Sequence, residues 1–264
     1  MYPTKYHKPA SIADAVATLN GADEAMLLSG GQTLLATMKQ HLAAPSDLVD
    51  IRGIQGLSGI SANGNELTIG ATTTHAEVAG NADVRRLCPA LADLASGIGD
   101  TAVRNMGTIG GSIANNDPAA DYPAGLLALN ATIVTNAREI PVDDFFEGLF
   151  STSLDEGEII TAVRVSAPSK AAYAKFAQPA SLFALVGVCV AESGGAVRVA
   201  VTGAGEDGVF RHAGLEAALS GALSGASIDS VEISDSDLIS DIHGASDYRA
   251  HLIGVMAKRA VSSM

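Results

Sequence analysis

The stretch AMLLSGGQTLLATMKQHLAAPSDLVDI, residues 25–51, decides how this chain begins to fold. AMLL is a short apolar run that stops at Gly30-Gly31. Leu34, Leu35, Met38 and Leu42 then recur at helical spacing, and DLVDI is strand-like again. The change of period predicts a strand at 25–31, a helix over 32–44 and a strand at 47–51, joined as a parallel crossover. The turn between strand and helix, Ser29, Gly30, Gly31, Gln32 and Thr33, is the first candidate site. Glycine lacks Cβ, so the backbone there can take left-handed angles and lie against a ligand. Consecutive amides can form a concave nest for an anion, and the helix behind adds its positive end. Such a turn suits a diphosphate without any lysine, with Thr33 able to donate a hydroxyl. A tight turn with no ligand would use the same glycines.

Upstream, Ser11 can cap a helix that carries Ile12, Val16 and Leu19 on one face. Downstream, LSGISANGNELTIGA alternates on either side of Asn63-Gly64-Asn65, a hairpin pattern. THAEVAG and VRRLCPALADLASGI read as helices. A glycine-rich loop follows at 107–111. Thr108, Ile109, Gly110, Gly111 and Ser112 form a second candidate nest, trailed by Asn115, Asn116, Asp117 and Asp121. Two such nests could clamp one diphosphate from both sides. Short strands return over 128–146, EIITAVRV (158–165) is a strand, and Pro168-Ser169-Lys170 a linker. YAKFAQ, FALVGVCVAE and AVRVAVTG are strands, the last two joined at Ser193-Gly194-Gly195. A helix falls at about 211–220. A final helix after Ser246 carries Tyr248, Leu252, Val255, Met256 and Arg259 on one side.

Gly203-Ala204-Gly205-Glu206-Asp207-Gly208 matches GxGxxG, the dinucleotide fingerprint. Two carboxylates would sit where phosphate charge belongs, and the preceding strand belongs to an antiparallel hairpin rather than a parallel unit. A plain turn is the better assignment.

The composition limits the function classes. A chain of 264 residues with 47% apolar content can bury a sizeable core. A net charge of −13 argues against nucleic acid. Any anionic cofactor must be held by backbone amides and a few placed cations. Two distant cysteines, Cys88 and Cys189, argue against a disulfide framework and against an iron–sulfur cluster in this chain. The six histidines are scattered and no metal-ligand spacing occurs. No apolar run reaches the ~18 residues of a membrane span, and the polar start carries no secretory signal, so the cytoplasm is expected.

The blocks SGGQTLLATMK, RNMGTIGGSIANNDPAADYPA, EIITAVRV and YAKFAQPAS resemble the flavin-binding medium subunit of molybdenum hydroxylases, the carbon monoxide dehydrogenase and xanthine dehydrogenase family. The resemblance spans nearly the whole chain. It implies an α+β fold: a two-subdomain PCMH-type FAD-binding domain at 1–168 (subdomains about 1–54 and 55–168), then a smaller domain at 169–264 with a sheet packed by helices. It implies FAD in this chain, with a molybdenum cofactor in a large partner subunit and two iron–sulfur clusters in a small one. The complex would be a dimer of heterotrimers. It also implies site residues. Ser29 to Thr33 and Thr108 to Ser112 would hold the diphosphate and adjoining groups. Asp121 would hydrogen-bond the cofactor, and Ile160 would meet its adenine or ribose end. Ile98 would lie beside the isoalloxazine, and Lys175 near the ring's polar edge, where its charge favours reduced flavin. Phe183 aligns where some members have tyrosine. No residue is expected to act as a dedicated acid or base, or to bind metal. Two other functions fit the same glycine segments: a self-contained FAD oxidoreductase of the vanillyl-alcohol oxidase type, and a noncatalytic nucleotide-binding module.

Overall fold

The computed structural model describes residues 1–264. The opening residues form the expected crossover. Strands β1 (Lys5–His7), β2 (Ala25–Leu28) and β3 (Asp47–Asp50) make a parallel sheet in the order β1-β3-β2. Helix α1 (Ile12–Asn20) starts at Ser11, whose side chain accepts from the Asp14 amide. Its Ile12, Val16 and Leu19 pack against a small core of Ala15, Val49 and Ile51. Helix α2 (Leu34–Lys39) is shorter than the apolar spacing predicts. His41 takes φ +61°, which breaks the helix, and Leu42 is left 74% exposed.

The middle of the chain builds a five-stranded antiparallel sheet and a cluster of helices. Strands β4 (Ile60–Asn63) and β5 (Glu66–Gly70) form the hairpin around Gly64. Helices α3 (His75–Gly80), α4 (Ala82–Leu87), α5 (Pro89–Ser96), α6 (Thr101–Arg104), α7 (Ile109–Asn115) and α8 (Asp121–Ala128) follow. Thr74 and Glu77 form a capping box at the start of α3. Pro89 splits the predicted long helix into α4 and α5, because proline cannot continue the hydrogen-bond ladder. Strands β6 (Thr132–Thr135) and β7 (Glu139–Pro141), the hairpin β8 (Phe146–Gly148) with β9 (Ser151–Thr152), and β10 (Ile160–Ser166) complete this part. The sheet order is β4-β5-β10-β6-β7. Leu67, Ile69, Ile113, Tyr122, Leu126 and Val163 are among its fully or nearly fully buried side chains.

The last sheet is antiparallel, β11 (Lys170–Ala177), β12 (Ala184–Ser193), β13 (Ala196–Gly205) and β14 (Gly208–Arg211). Alternation decides its two faces. Cys189, Ala191 and Ala200 join the core of the middle part. Val188, Val190, Val199 and Val201 face α9 (Ala213–Gly221), α10 (Gly225–Ile228) and α11 (Ser246–Ser262). The buried face of α11 is Arg249, Leu252, Ile253, Met256, Ala257 and Ala260, rotated from the predicted stripe, with Tyr248 at 42% exposure. Arg249 accounts for the rotation, since a buried guanidinium is invisible to an apolar count. The GxGxxG segment is the β13–β14 hairpin turn, with Gly205 paired to Gly208. Gly203 has φ +80°, and a Cβ there would fall 2.4 Å from the Ala184 oxygen, so backbone angle and packing account for this glycine. The architecture is α+β, and no helix is long and apolar enough to cross a membrane.

Candidate functional site

A cleft of 760 Å³ runs between the first sheet and the helices of the middle part. The residues singled out around the two glycine segments and for the cofactor line it, except Ile109, Asn116 and Lys175. Two segments 79 residues apart form its wall. The Ser29 and Thr108 hydroxyls are 2.8 Å apart. A Cβ at Gly30 would fall on the Met106 carbonyl and within 2.7 Å of Gly107 Cα, so the two backbones touch. Gly31 sits at φ +70°, the left-handed angle that a side chain disfavours. The amides of Gly30, Gly31, Gln32 and Thr33 donate to no protein acceptor. Four consecutive amides without a protein acceptor, on a loop next to a helix start, are the donors that an anion nest requires.

The second segment works differently from the predicted loop. It is the first turn of α7. Thr108 is the N-cap, and its hydroxyl accepts from the Gly111 amide at 3.2 Å. The Ile109 amide donates to Thr73 and the Gly110 amide to Ala71, both within the protein. Ile109 is fully buried, and a Cβ at Gly110 would strike Ala71 at 2.7 Å. Gly110 therefore allows close packing against Ala71, just beyond β5, and its amide is already satisfied within the protein. Among the α7 residues that line the cleft are Gly111, where a Cβ would point between Thr108 and Ser29, and Ser112.

Lys175 lies just behind the lining residues. Its side chain is 10% exposed, and its ammonium contacts the Asp121 carboxylate at 3.0 Å. It also donates to the Gly97 oxygen at 2.8 Å and the Leu182 oxygen at 3.0 Å. Asp121 is buried at the start of α8 and accepts from the Tyr173 hydroxyl at 2.5 Å. Burial pushes its carboxyl above the usual range, against the pull of Lys175 and Tyr173. Lys175 therefore fastens α5, α8 and the segment at 182 behind the cleft. Its charge is paired with Asp121. No lysine or arginine lines the cleft, whereas Asp117, Asp121 and Glu158 do. Arg138, followed by Thr135, holds the Glu158 carboxyl down at about 2. Arg104 reaches the site only through the Ile98 and Gly99 carbonyls, at 3.0 and 2.6 Å.

Several lining residues were not singled out. His75, at the start of α3, is 4% exposed and packs under Gly107. Burial first, then the charge of Arg104, pulls its pKa down to about 4. Phe150 and Leu182 line the cleft with left-handed backbones, φ +54° and +62°. Asn116 steadies the β8–β9 hairpin beside Phe150 by donating to the Gly148 and Ser151 oxygens. The only sequence signal for these two is an exposed apolar residue in a loop, which many loops carry.

His75 gives a testable pH dependence. Its folded pKa is depressed, so the stability from burying it neutral is present above pH 6.5 and drains away as pH falls towards 4. The loss amounts to about 3 kcal/mol. His212 shifts the same way, through burial. Asp50 and Glu158, held at about 2, lose their contribution mostly below pH 4, as pH falls from their unfolded values of 3.8 and 4.5. His75 makes no side-chain hydrogen bond that leucine would forfeit. Urea unfolding of His75→Leu should therefore show a flatter decline between pH 6.5 and 4 than wild type.

A strand–glycine turn–helix with free amides, joined through hydroxyls to a second helix start, walls the cleft of this α+β protein. Comparison with known proteins gives the family. Residues 2–168 match the FAD binding domain in molybdopterin dehydrogenase. The chain is 35% identical to the carbon monoxide dehydrogenase medium chain of Hydrogenophaga pseudoflava, covering 98% of this chain and 96% of that one. It is 34% identical to the nicotine 6-hydroxylase medium subunit of Paenarthrobacter nicotinovorans, over 97% and 95% of the two chains. A crystal structure of cyanide-inactivated Cu,Mo-CO dehydrogenase superposes with TM-score 0.91 at 33% identity, over 99% of this chain and 98% of that one. Quinoline 2-oxidoreductase from Pseudomonas putida 86 superposes at 0.88 with 28% identity, over 100% and 97%. The chain belongs to the FAD-binding medium subunits of molybdenum hydroxylases, and is thus an oxidoreductase subunit with FAD as its cofactor.

Proposed function

We propose that the cleft between Ser29–Thr33 and Thr108–Ser112 holds the FAD of a relay subunit. Electrons arrive from iron–sulfur clusters in a small partner subunit and leave to an external acceptor. The observation that carries this is the row of four free amides on the wall of a cleft lined by no lysine or arginine. Such a site suits a diphosphate held by neutral donors, and 760 Å³ gives room for a large ligand. The amides of Gly30 to Thr33 and the Ser29, Thr108 and Ser112 hydroxyls would hold the diphosphate. Ile160 and its neighbours would hold one end of the molecule, and Ile98, Leu182 and Phe183 the other. Asp121 would accept a cofactor hydrogen bond, with Lys175 keeping its carboxylate in place. When bound, FAD supplies exchange of one or two electrons, which lets a subunit without its own acid–base pair join carriers of different kinds.

The partners follow from the same account. Cys88 and Cys189 are both buried and unpaired, too few for the usual cluster ligation. The clusters belong to a small subunit and the molybdenum cofactor to a large one, assembled as a dimer of heterotrimers in the cytoplasm. The native protein should purify with both partners, containing molybdenum, iron and flavin. Rapid mixing with the complex's substrate should then reduce clusters and flavin together on the catalytic timescale. A flavin that stays oxidised through turnover would contradict the relay, and substrate oxidation by this chain alone would favour a self-contained oxidase.

A further inference from the structure

One charged side chain at the C-terminal end of the fold is tied to the cleft from a distance. Arg249, on α11, is 3% exposed. It donates to the Leu185 oxygen at 2.8 Å, to the Gly203 oxygen at 2.6 Å and to Asp241 Oδ1 at 2.8 Å. Leu185 lies just beyond the strap 178–183, which presents Leu182 and Phe183 to the cleft. The other end of the strap is reached through the counter-ion. Asp241 also accepts from the His243 and Gly244 amides, at 2.9 and 3.1 Å, which sets a tight turn. His243 Nδ1 then lies 3.2 Å from Gln178 Nε2. Gln178 closes the strap, its amide donating to the Phe183 oxygen and its carbonyl accepting from Leu182. Gly203 leads to the third side. Its amide donates to the Pro118 oxygen, on the segment that enters Asp121.

We propose that Arg249 is a positioning residue for the cofactor: one buried guanidinium fixes both ends of the strap 178–183 and so sets where Leu182 and Phe183 meet the flavin. The mechanical reason is the strap itself. Leu182 holds a left-handed φ of +62° that leucine disfavours, so its geometry persists only while its surroundings impose it. Lys175 supplies one restraint, on the Leu182 oxygen. Arg249 supplies the restraint on both ends, across the third sheet. This rests on FAD occupying the cleft as proposed above.

The test uses the full chain with FAD and compares Arg249→Met, Asp241→Asn, Gln178→Ala and Met256→Ala. Asp241 and Gln178 are not core residues, so their variants keep the proposal testable if Arg249→Met fails to fold. Met256 is fully buried on the same helix and its side chain makes none of the hydrogen bonds of the strap network, so it reports mere loss of stability. Visible circular dichroism of the bound flavin and the FAD dissociation constant are read well below each unfolding midpoint. Asp241→Asn and Gln178→Ala should change the dichroism and weaken FAD by a few-fold, and Arg249→Met by about tenfold. Met256→Ala should lower the midpoint and leave both flavin readings as in wild type. Unchanged dichroism and affinity in the three network variants, or the same change in Met256→Ala, would overturn the proposal. A wild-type chain that binds no FAD would instead overturn the function on which it rests.

Discussion

Gly30→Ala will weaken FAD binding by about a hundredfold or more and destabilise the chain by roughly 2–3 kcal/mol. Gly30 does not use a left-handed angle, so the backbone tolerates alanine conformationally. The cost is steric. The new Cβ meets the Met106 carbonyl and Gly107 Cα, both main-chain groups that no rotamer change can move aside. Relief requires the two glycine segments to separate, which also breaks the 2.8 Å contact between the Ser29 and Thr108 hydroxyls. The matched control is Gly80→Ala, where a Cβ has nothing within 4 Å and should, if anything, stabilise α3. Urea unfolding and flavin fluorescence titration read the two effects. Equal affinities for Gly30→Ala and wild type would show that the two segments do not act as one wall.

The second large effect is expected behind the cleft. Lys175→Met should cost about 3–5 kcal/mol, because it strands the buried Asp121 carboxylate without its counter-charge. It also leaves the Gly97 and Leu182 oxygens without a donor. Removing both charges, as Asp121→Asn with Lys175→Met, should recover a large part of the loss, since the penalty comes from the unpaired ion. A double-mutant cycle by urea unfolding measures this. Simple additivity would mean that Lys175 and Asp121 are not coupled, and that the lysine is an ordinary surface cation.

Residue patterns showed the outline of the fold because its signals are local. The glycine-broken crossover at 25–51 and the long strands of the third sheet each carry one period over enough residues to be read. Helix α8 was missed because all eight of its residues are buried, which erases the one-sided period, and Pro123 sits in its first turn. Strand β1 has only three residues. In the candidate site, the turn at Gly30-Gly31 was legible because glycine advertises unusual backbone angles, and Gly31 takes one. The second was half legible. Thr108-Ile109-Gly110-Gly111 reads as a loop, yet Thr108 makes it a helix start and Gly110 answers to Ala71, a contact that no sequence spacing contains. Lys175 shows the same limit. Its partners Gly97, Asp121 and Leu182 come from three distant segments, so only the folded chain reveals that its charge is already spent.

FAD titration of the full chain against Gly111→Asp tests the central claim most directly. Gly111 faces the cleft, and an aspartate there would set a carboxylate between Thr108 and Ser29, where the diphosphate charge is proposed to sit. Glu206→Ala, at an exposed turn of the GxGxxG segment, is the control. The account predicts one FAD per wild-type chain, the same for Glu206→Ala, and no measurable binding by a folded Gly111→Asp. Undiminished binding by Gly111→Asp, or loss of binding in Glu206→Ala alone, would contradict it.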